Sequence, residues 1–66
     1  MTVIINGQIR KFEKALTLRV LVEQLCKNPQ QVIAEVNGSI VKNERWANCE
    51  LNEGDNLELV NFVGGG

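Results

Sequence analysis

Three consecutive glycines close the chain of 66 residues, and no other stretch points as directly to chemistry. At an average glycine usage of about 7%, such a run at one specified end arises by chance about three times in ten thousand. A glycine run has no side chains to pack and loses much entropy when ordered, so we expect Gly64, Gly65 and Gly66 to form a flexible tail. A tail of this kind can lie extended in a narrow channel of a partner protein and present the α-carboxylate of Gly66.

A carboxylate is a poor acyl donor, but its activation as an acyl-adenylate opens the carbonyl carbon to attack by a sulfur or amine nucleophile. We therefore expect Gly66 to be a group that partner enzymes modify at the expense of ATP, with no catalytic residue in the chain itself. The alternative interpretation of the three glycines is a frayed terminus or a remnant of cloning.

The amino-acid inventory argues against a self-contained enzyme. The chain has no His and no Tyr, which removes the usual general base near neutral pH and the commonest metal ligand. A chain this short buries only about 60% of the surface that its unfolded state exposes, which leaves little interior to wall a deep pocket. We expect a single small domain that binds neither a metal nor a cofactor of its own.

The charges are nearly balanced overall but segregated along the chain. A net charge of −1 provides no basic face for a phosphate backbone, so a nucleic acid is not an expected partner. Residues 1–43 carry six bases and three acids, for a charge of +3, whereas residues 44–66 carry one base and five acids, for a charge of −4. This asymmetry either steers the C-terminal end toward a basic partner or reflects a solvated polar face.

Compartment and redox state follow from what the chain lacks. No charged and then apolar leader opens the sequence, and no apolar run approaches the about 18 residues of a membrane span, so we expect a soluble cytoplasmic protein without membrane partners. Cys26 and Cys49 lack the spacing of redox or zinc motifs. We expect both to be reduced thiols, Cys26 at the edge of a helix and Cys49 half-buried in a loop, with a persulfide or disulfide role as the alternative.

The first half of the chain predicts a β-hairpin and a helix. The β-branched run 2–5 precedes Asn6-Gly7, the dipeptide best suited to a two-residue turn, and 8–12 forms the return strand with a bulge or strand end near Lys11. Thr17 can cap a helix over roughly 18–27, in which apolar residues recur at helical spacing. Glu23 and Lys27 are spaced for an i, i+4 ion pair, and Asn28-Pro29 ends the pattern.

The second half predicts three strands. Residues 32–36 and 40–41 flank a second Asn-Gly turn, Asn37-Gly38, and 57–63 form the last strand. Trp46 lies in a short helical turn or loop, where it covers the edge of the core or, alternatively, anchors a partner. The order β-β-α-β-β gives an α+β fold of the β-grasp type, a mixed sheet of four to five strands with one main helix across one face and the first and last strands adjacent at its centre. Residues 1–63 form the domain, and 64–66 form the tail.

Alternation along the last strand predicts a docking patch beside the tail. If Leu57 and Leu59 point inward, Val60 and Phe62 lie on the uncovered face of the sheet. We expect these two residues, with Val63 next to the tail, to contact partner proteins. The alternative is a bulge near Asn61 that folds Phe62 inward.

Along essentially its full length the sequence resembles the ThiS sulfur carriers of thiamine biosynthesis, which belong to the ubiquitin-like β-grasp superfamily. The residues and short motifs that the sequence shares with this family are Asn6-Gly7, Thr17-Leu18, Val36-Asn37-Gly38, Val41, Trp46, Leu51, Gly54-Asp55, the run 57–60 and the run 62–66. The sequence departs from the family pattern at Lys42-Asn43, where such proteins often have Pro-Arg.

The resemblance implies a carrier that partner enzymes load and unload. An E1-like adenylyltransferase would adenylate Gly66, a sulfur relay from a cysteine desulfurase would convert the adenylate into a thiocarboxylate, and thiazole synthase would take the sulfur. The alternatives are a sulfur carrier for molybdopterin or another thiolated product, a modifier that forms isopeptide bonds, and a β-grasp interaction module whose tail is inert.

Overall fold

A mixed five-stranded sheet with one helix across it makes up residues 1–62, the part of the chain that the computed structural model describes. The strand order is β2-β1-β5-β3-β4, with β1 and β5 parallel and the other neighbours antiparallel. The elements in chain order are β1 (Thr2–Ile5), β2 (Gln8–Lys11), α1 (Leu18–Leu25), β3 (Val32–Val36), β4 (Ser39–Val41) and β5 (Asn56–Asn61). The predicted fold class and the predicted adjacency of the first and last strands are confirmed.

Both hairpins close on the predicted Asn-Gly turns. Asn6 and Gly7 have φ values of 51° and 81°, and Asn37 and Gly38 have φ values of 51° and 88°. Two successive positive φ angles are what a type I′ turn requires, and its twist matches that of the flanking strands. In the first hairpin the pairing stays regular until Lys11, opposite Thr2, so the strand end rather than a bulge explains the loss of alternation there.

Helix α1 begins where the sequence predicts and ends two residues earlier. The Thr17 hydroxyl accepts a hydrogen bond from the Val20 amide at 3.3 Å, which satisfies one free donor of the first turn. Cys26 is already extended, because Asn28 precedes a proline and the chain turns there into a 3-10 helix, Pro29–Gln31. The predicted pair between Glu23 and Lys27 is therefore wrong, since Lys27 lies beyond the helix.

The ion pair that does form on α1 lies one turn earlier. Arg19 and Glu23 approach to 3.4 Å between a guanidinium nitrogen and a carboxylate oxygen. The side chains of Arg19 and Glu23 are 41% and 52% exposed, so solvent screens the pair and it contributes little to stability.

The core lies between α1 and one face of the sheet and is closed at one end by the only tryptophan. Trp46 lies in a 3-10 helix, Asn43–Asn48, with 1% of its surface exposed, and its indole N–H donates to the Val41 carbonyl at 2.8 Å. The prediction that it covers the core is confirmed, and the alternative of an exposed anchor is wrong. The buried apolar residues are Val3, Ile5, Leu18, Leu21, Val22, Val32, Ala34, Trp46, Leu51 and Leu57.

Candidate functional site

Strand β5 is held at the centre of the sheet by hydrogen bonds on both sides. Toward β3 the register runs without interruption from Val36 opposite Leu57 to Val32 opposite Asn61. Toward β1 the backbone amide of Asn6 donates to the Leu57 carbonyl at 2.9 Å. The strand that leads toward the glycines is thus paired along both of its edges.

The side chain of Asn6 extends the hydrogen bonding to β5 past the end of β1. Its Oδ1 accepts from the Leu59 amide at 2.9 Å, and its Nδ2 donates to the Leu59 carbonyl at 3.2 Å. The amide group therefore takes the place of a strand residue beside Leu59, because an amide side chain offers the same donor and acceptor as a peptide unit.

Asn37 plays the corresponding part at the start of β5. Its Oδ1 accepts from the Asn56 amide at 3.0 Å, and its Nδ2 donates to Asp55 Oδ1 at 3.0 Å. The other oxygen of Asp55 accepts from the backbone amide of Asn52 at 2.7 Å. This largely buried carboxylate therefore stabilises the turn at 52–55 that precedes β5. Neither amide contact is predicted from the sequence. One feature of the sequence could have indicated these contacts: the first residue of both turns is Asn, whose side chain carries an amide, rather than Gly or Asp.

The residues of β5 alternate between the two faces as predicted. Leu57 is fully buried, whereas Val60 and Phe62 are exposed by 53% and 40% on the face opposite α1. The alternative of a bulge near Asn61 is wrong, because the register with β3 stays regular and the Phe62 amide donates to the Gln31 carbonyl at 2.9 Å. The structure thus brings Val60 and Phe62 together at the end of β5, and their contact with partners stays a prediction.

Asn61 points to the covered side of the sheet without entering the core. It is exposed and borders a shallow depression together with Leu25, Cys26, Lys27 and Asn28. The core ends before this position because α1 stops at Leu25. A polar residue therefore fits the inward register there.

The sheet face opposite α1, called the open face below, is both apolar and acidic. Alternation and register place on it five apolar side chains that are exposed by 40% or more, namely Ile9, Ile33, Ile40, Val60 and Phe62. At its centre Glu35 of β3 lies directly opposite Glu58 of β5. No other part of residues 1–62 gathers as many exposed apolar side chains.

The predicted tail lies outside the described residues. Val63, Gly64, Gly65 and Gly66 all fall beyond residue 62, so their predicted roles are unaffected by the structure. The last described residue before them is Phe62, which directly follows the central strand β5.

The two cysteines are free thiols, and both are half-buried. Cys26 lies at the end of α1 and Cys49 directly after the 3-10 helix, which agrees with the predictions of a helix edge for Cys26 and a half-buried loop for Cys49. Burial, with a smaller effect from the negative charge of Asp55, raises the pKa of the Cys49 thiol. A raised pKa lowers the thiolate fraction at neutral pH, which makes Cys49 a poor nucleophile.

Within residues 1–62 no group of His, Cys, Asp or Glu could hold a metal ion, and no helix is long and apolar enough to cross a membrane.

Comparison with known proteins identifies the family. The model of the ThiS family matches residues 3–66, which includes β5 and the three glycines. The chain belongs to the ThiS family. It is 36% identical to the sulfur carrier protein ThiS of Bacillus subtilis, over 94% of this chain and 96% of that protein. The resemblance stated from sequence is thereby confirmed, and sulfur carrier proteins are among the homologues of the chain.

A second relative and a solved structure extend the comparison. The chain is 38% identical over its whole length to a thiazole synthase of Paramagnetospirillum magneticum, of which it spans 20%. The crystal structure of the thiamine biosynthesis protein ThiS from Geobacter metallireducens superposes with a TM-score of 0.86 at 26% identity, with full coverage of both chains. The β-grasp architecture of this ThiS-family domain is therefore confirmed at the level of whole-chain geometry.

Proposed function

We propose that this ThiS-family chain is the sulfur carrier of thiamine biosynthesis and that the α-carboxylate of Gly66 is the group that carries the sulfur. The observation that carries the proposal is the family match, which covers residues 3–66 and so includes the glycines at 64–66 on which the proposed chemistry depends. The sulfur carrier protein ThiS of Bacillus subtilis is a relative over nearly the full length of both chains.

The composition fits a protein that is acted upon. With no His and no Tyr in the chain, activation of Gly66 depends on a partner that supplies the base and the ATP site. We propose an E1-like adenylyltransferase for this step, in which the carboxylate attacks the α-phosphorus of ATP and pyrophosphate leaves. ATP is therefore a substrate of the partner, and the carrier binds no cofactor.

Sulfur then replaces the activating group. A sulfur nucleophile, which we propose is delivered by a cysteine desulfurase relay, attacks the acyl carbon of Gly66. The C–S bond forms through the terminal sulfur of a relay persulfide, and AMP leaves. A second thiol of the relay then attacks the other sulfur of the resulting acyl disulfide, which releases the thiocarboxylate of Gly66 and leaves a disulfide on the relay protein. The raised pKa of Cys49 argues against this thiol as the internal donor, since the thiolate is the reactive form.

Thiazole synthase is the proposed acceptor of the sulfur. Support comes from a thiazole synthase of Paramagnetospirillum magneticum that includes a segment 38% identical to this chain. A segment similar to this chain within the same polypeptide as a thiazole synthase is what we expect of two partners in one reaction. The open face beside the tail, with Val60 and Phe62, is the proposed contact surface for these partner enzymes.

Intact-mass analysis of the protein purified from its native cells during thiamine starvation tests the proposal. We expect a fraction of molecules in which one oxygen is replaced by sulfur, with the change located at Gly66 by fragmentation. Deletion of Gly66 removes that fraction and abolishes growth without thiamine, while leaving the unfolding midpoint of the domain unchanged.

A matched control substitutes an exposed residue near the start of α1, at the opposite end of this helix from Asn61, such as Asn48→Ser, and retains both the modified fraction and growth. An unmodified mass under starvation, or full growth of the strain with Gly66 deleted, contradicts the proposal and favours an inert tail. Normal thiamine synthesis together with a loss of molybdopterin favours the alternative carrier, and higher-mass conjugates favour an isopeptide modifier.

A further inference from the structure

The centre of the open face contains an arrangement that folding alone does not favour. Glu35 of β3 and Glu58 of β5 are direct cross-strand partners, which places their Cβ atoms roughly 4.5–5.5 Å apart. Two carboxylates at this spacing repel each other, and like charges directly opposite in an antiparallel pair destabilise a sheet. Among residues 1–62 no cation lies within ion-pair distance of either carboxylate.

Apolar side chains surround this pair. Ile40 of β4 lies opposite Glu35 on one side, and the next cross-strand pair along the sheet is Ile33 with Val60. All three apolar residues are exposed, whereas Glu35 is already half-buried. A protein that docks here would remove water from the two carboxylates, so its own surface must supply positive charge at this point.

One side chain fits the space and the charge best. A guanidinium group has five N–H donors in a planar fork, binds carboxylates in a bidentate manner and is weakly hydrated enough to lie between apolar groups. An arginine inserted between Glu35 and Glu58 would neutralise their repulsion while Ile33, Ile40 and Val60 contact apolar atoms around it.

We propose that the open face docks a partner protein through an arginine that binds Glu35 and Glu58 together, within an apolar ring formed by Ile33, Ile40 and Val60. This inference rests on the proposed function, because the adenylyltransferase that acts on Gly66 is the partner for which it is made. The pair lies on the strand that leads to the tail, so an arginine bound there fixes the position from which the tail extends.

A second copy of the chain is a poorer occupant. In a two-fold contact between open faces, the same patch meets itself, and Glu35 and Glu58 of one copy would approach those of the other. The repulsion already present within one sheet would then be doubled. The base that the register places on this face, Lys11 opposite Thr2, lies on the edge strand β2, two strands away from Glu58.

The test compares two double variants that remove the same amount of charge. Glu35→Gln with Glu58→Gln alters the open face, and Glu13→Gln with Glu44→Gln removes two exposed carboxylates elsewhere. The measurement is the steady-state rate of Gly66 adenylation by the adenylyltransferase from the same cells, followed by pyrophosphate release. For the E35Q/E58Q variant we expect KM for the carrier to rise at least about tenfold with kcat unchanged, because the tail is intact.

The control variant separates local recognition from net charge. We expect E13Q/E44Q to change KM by less than about twofold. Urea unfolding provides a second measurement, in which E35Q/E58Q is as stable as the wild type or more so, because a repulsion has been removed. A gain or no change in stability together with a loss of partner affinity is the signature that a structural role would not produce.

Three results would overturn the inference. The first is an unchanged KM for E35Q/E58Q, and the second is a lower unfolding midpoint, which would assign the carboxylates to the fold. The third is a wild-type dimer in sedimentation at about 100 μM that E35Q/E58Q abolishes, which would assign the face to a second copy. If the wild type itself is not adenylated, the proposed function fails, and the inference fails with it.

Discussion

The two faces of the sheet differ in how well their residues suit folding. On the face toward α1, Val3, Ala34 and Leu57 are fully buried, as packing of the core requires. On the open face, apolar side chains are exposed and Glu35 lies opposite Glu58, neither of which helps the chain to fold. The difference indicates that folding stability explains the residues of one face only, and we propose that partner contact explains those of the other.

The sharpest test of this contrast uses two residues of the same strand on opposite faces. We expect Leu57→Ala to lower the free energy of unfolding by about 2–5 kcal/mol, because it removes a fully buried side chain and leaves a cavity. Val60→Ala, with 53% of the side chain already exposed, should lower it by less than about 1 kcal/mol. Urea unfolding followed by Trp46 fluorescence measures both, and equal losses would refute the contrast between the faces.

The second prediction concerns partner affinity. We expect the V60S/F62S variant to raise KM for adenylation about tenfold or more, because it removes apolar contact area next to the tail. Its matched control is Ile9→Ser, which removes a more exposed apolar side chain at the far edge of the same face. A comparable rise in KM for Ile9→Ser would show that the whole face, and not its end near the tail, is recognised.

The third prediction separates the two turn asparagines. Replacement by glycine keeps the positive φ and removes only the side-chain hydrogen bonds, so Asn6→Gly and Asn37→Gly should each cost about 1–2 kcal/mol in the free energy of unfolding. Amide hydrogen exchange distinguishes them. It should accelerate at Leu59 in Asn6→Gly and at Asn56 in Asn37→Gly, and exchange that accelerates uniformly would contradict separate roles.

The smallest expected effect is the pH dependence due to Cys49. Because its pKa is raised in the folded state by burial and by Asp55, the unfolded chain loses this proton first. The stability due to Cys49 is therefore complete below the unfolded pKa and is lost as pH rises through the folded pKa. Urea unfolding from about pH 8 to about pH 10.5 should show a slightly steeper decline for the wild type than for Cys49→Ala. Parallel curves would contradict this reasoning.

Local patterns were enough to predict most of the fold. The two Asn-Gly turns, the cap at Thr17, the start of α1 and the burial of Trp46 depend on residues close together in the chain, and the structure has each of them. The end of α1 was misplaced because a helix boundary depends on the balance between the last turn and the Pro29 segment, which residue patterns resolve only within a few positions.

The features that the sequence did not reveal are those set by pairing between distant strands. Glu35 and Glu58 become neighbours only through the register of β3 with β5. The contacts of the Asn6 side chain with Leu59 likewise depend on where β1 ends beside β5. The exposure of Val60 and Phe62 was predictable because strand alternation needs no partner strand to be known.

The parallel arrangement of β1 and β5 has a mechanical consequence. Hydrogen bonds such as Ile4 to Asp55 at 2.8 Å and Asn6 to Leu57 at 2.9 Å join the two strands side by side. Tension applied between the start of β1 and the end of β5 pulls the two strands lengthwise past each other, so these bonds bear the load simultaneously rather than opening one after another. A protease or unfoldase that pulls on residue 66 therefore has to break these hydrogen bonds together before the domain unfolds. An enzyme that binds the glycines without pulling on them leaves the domain folded.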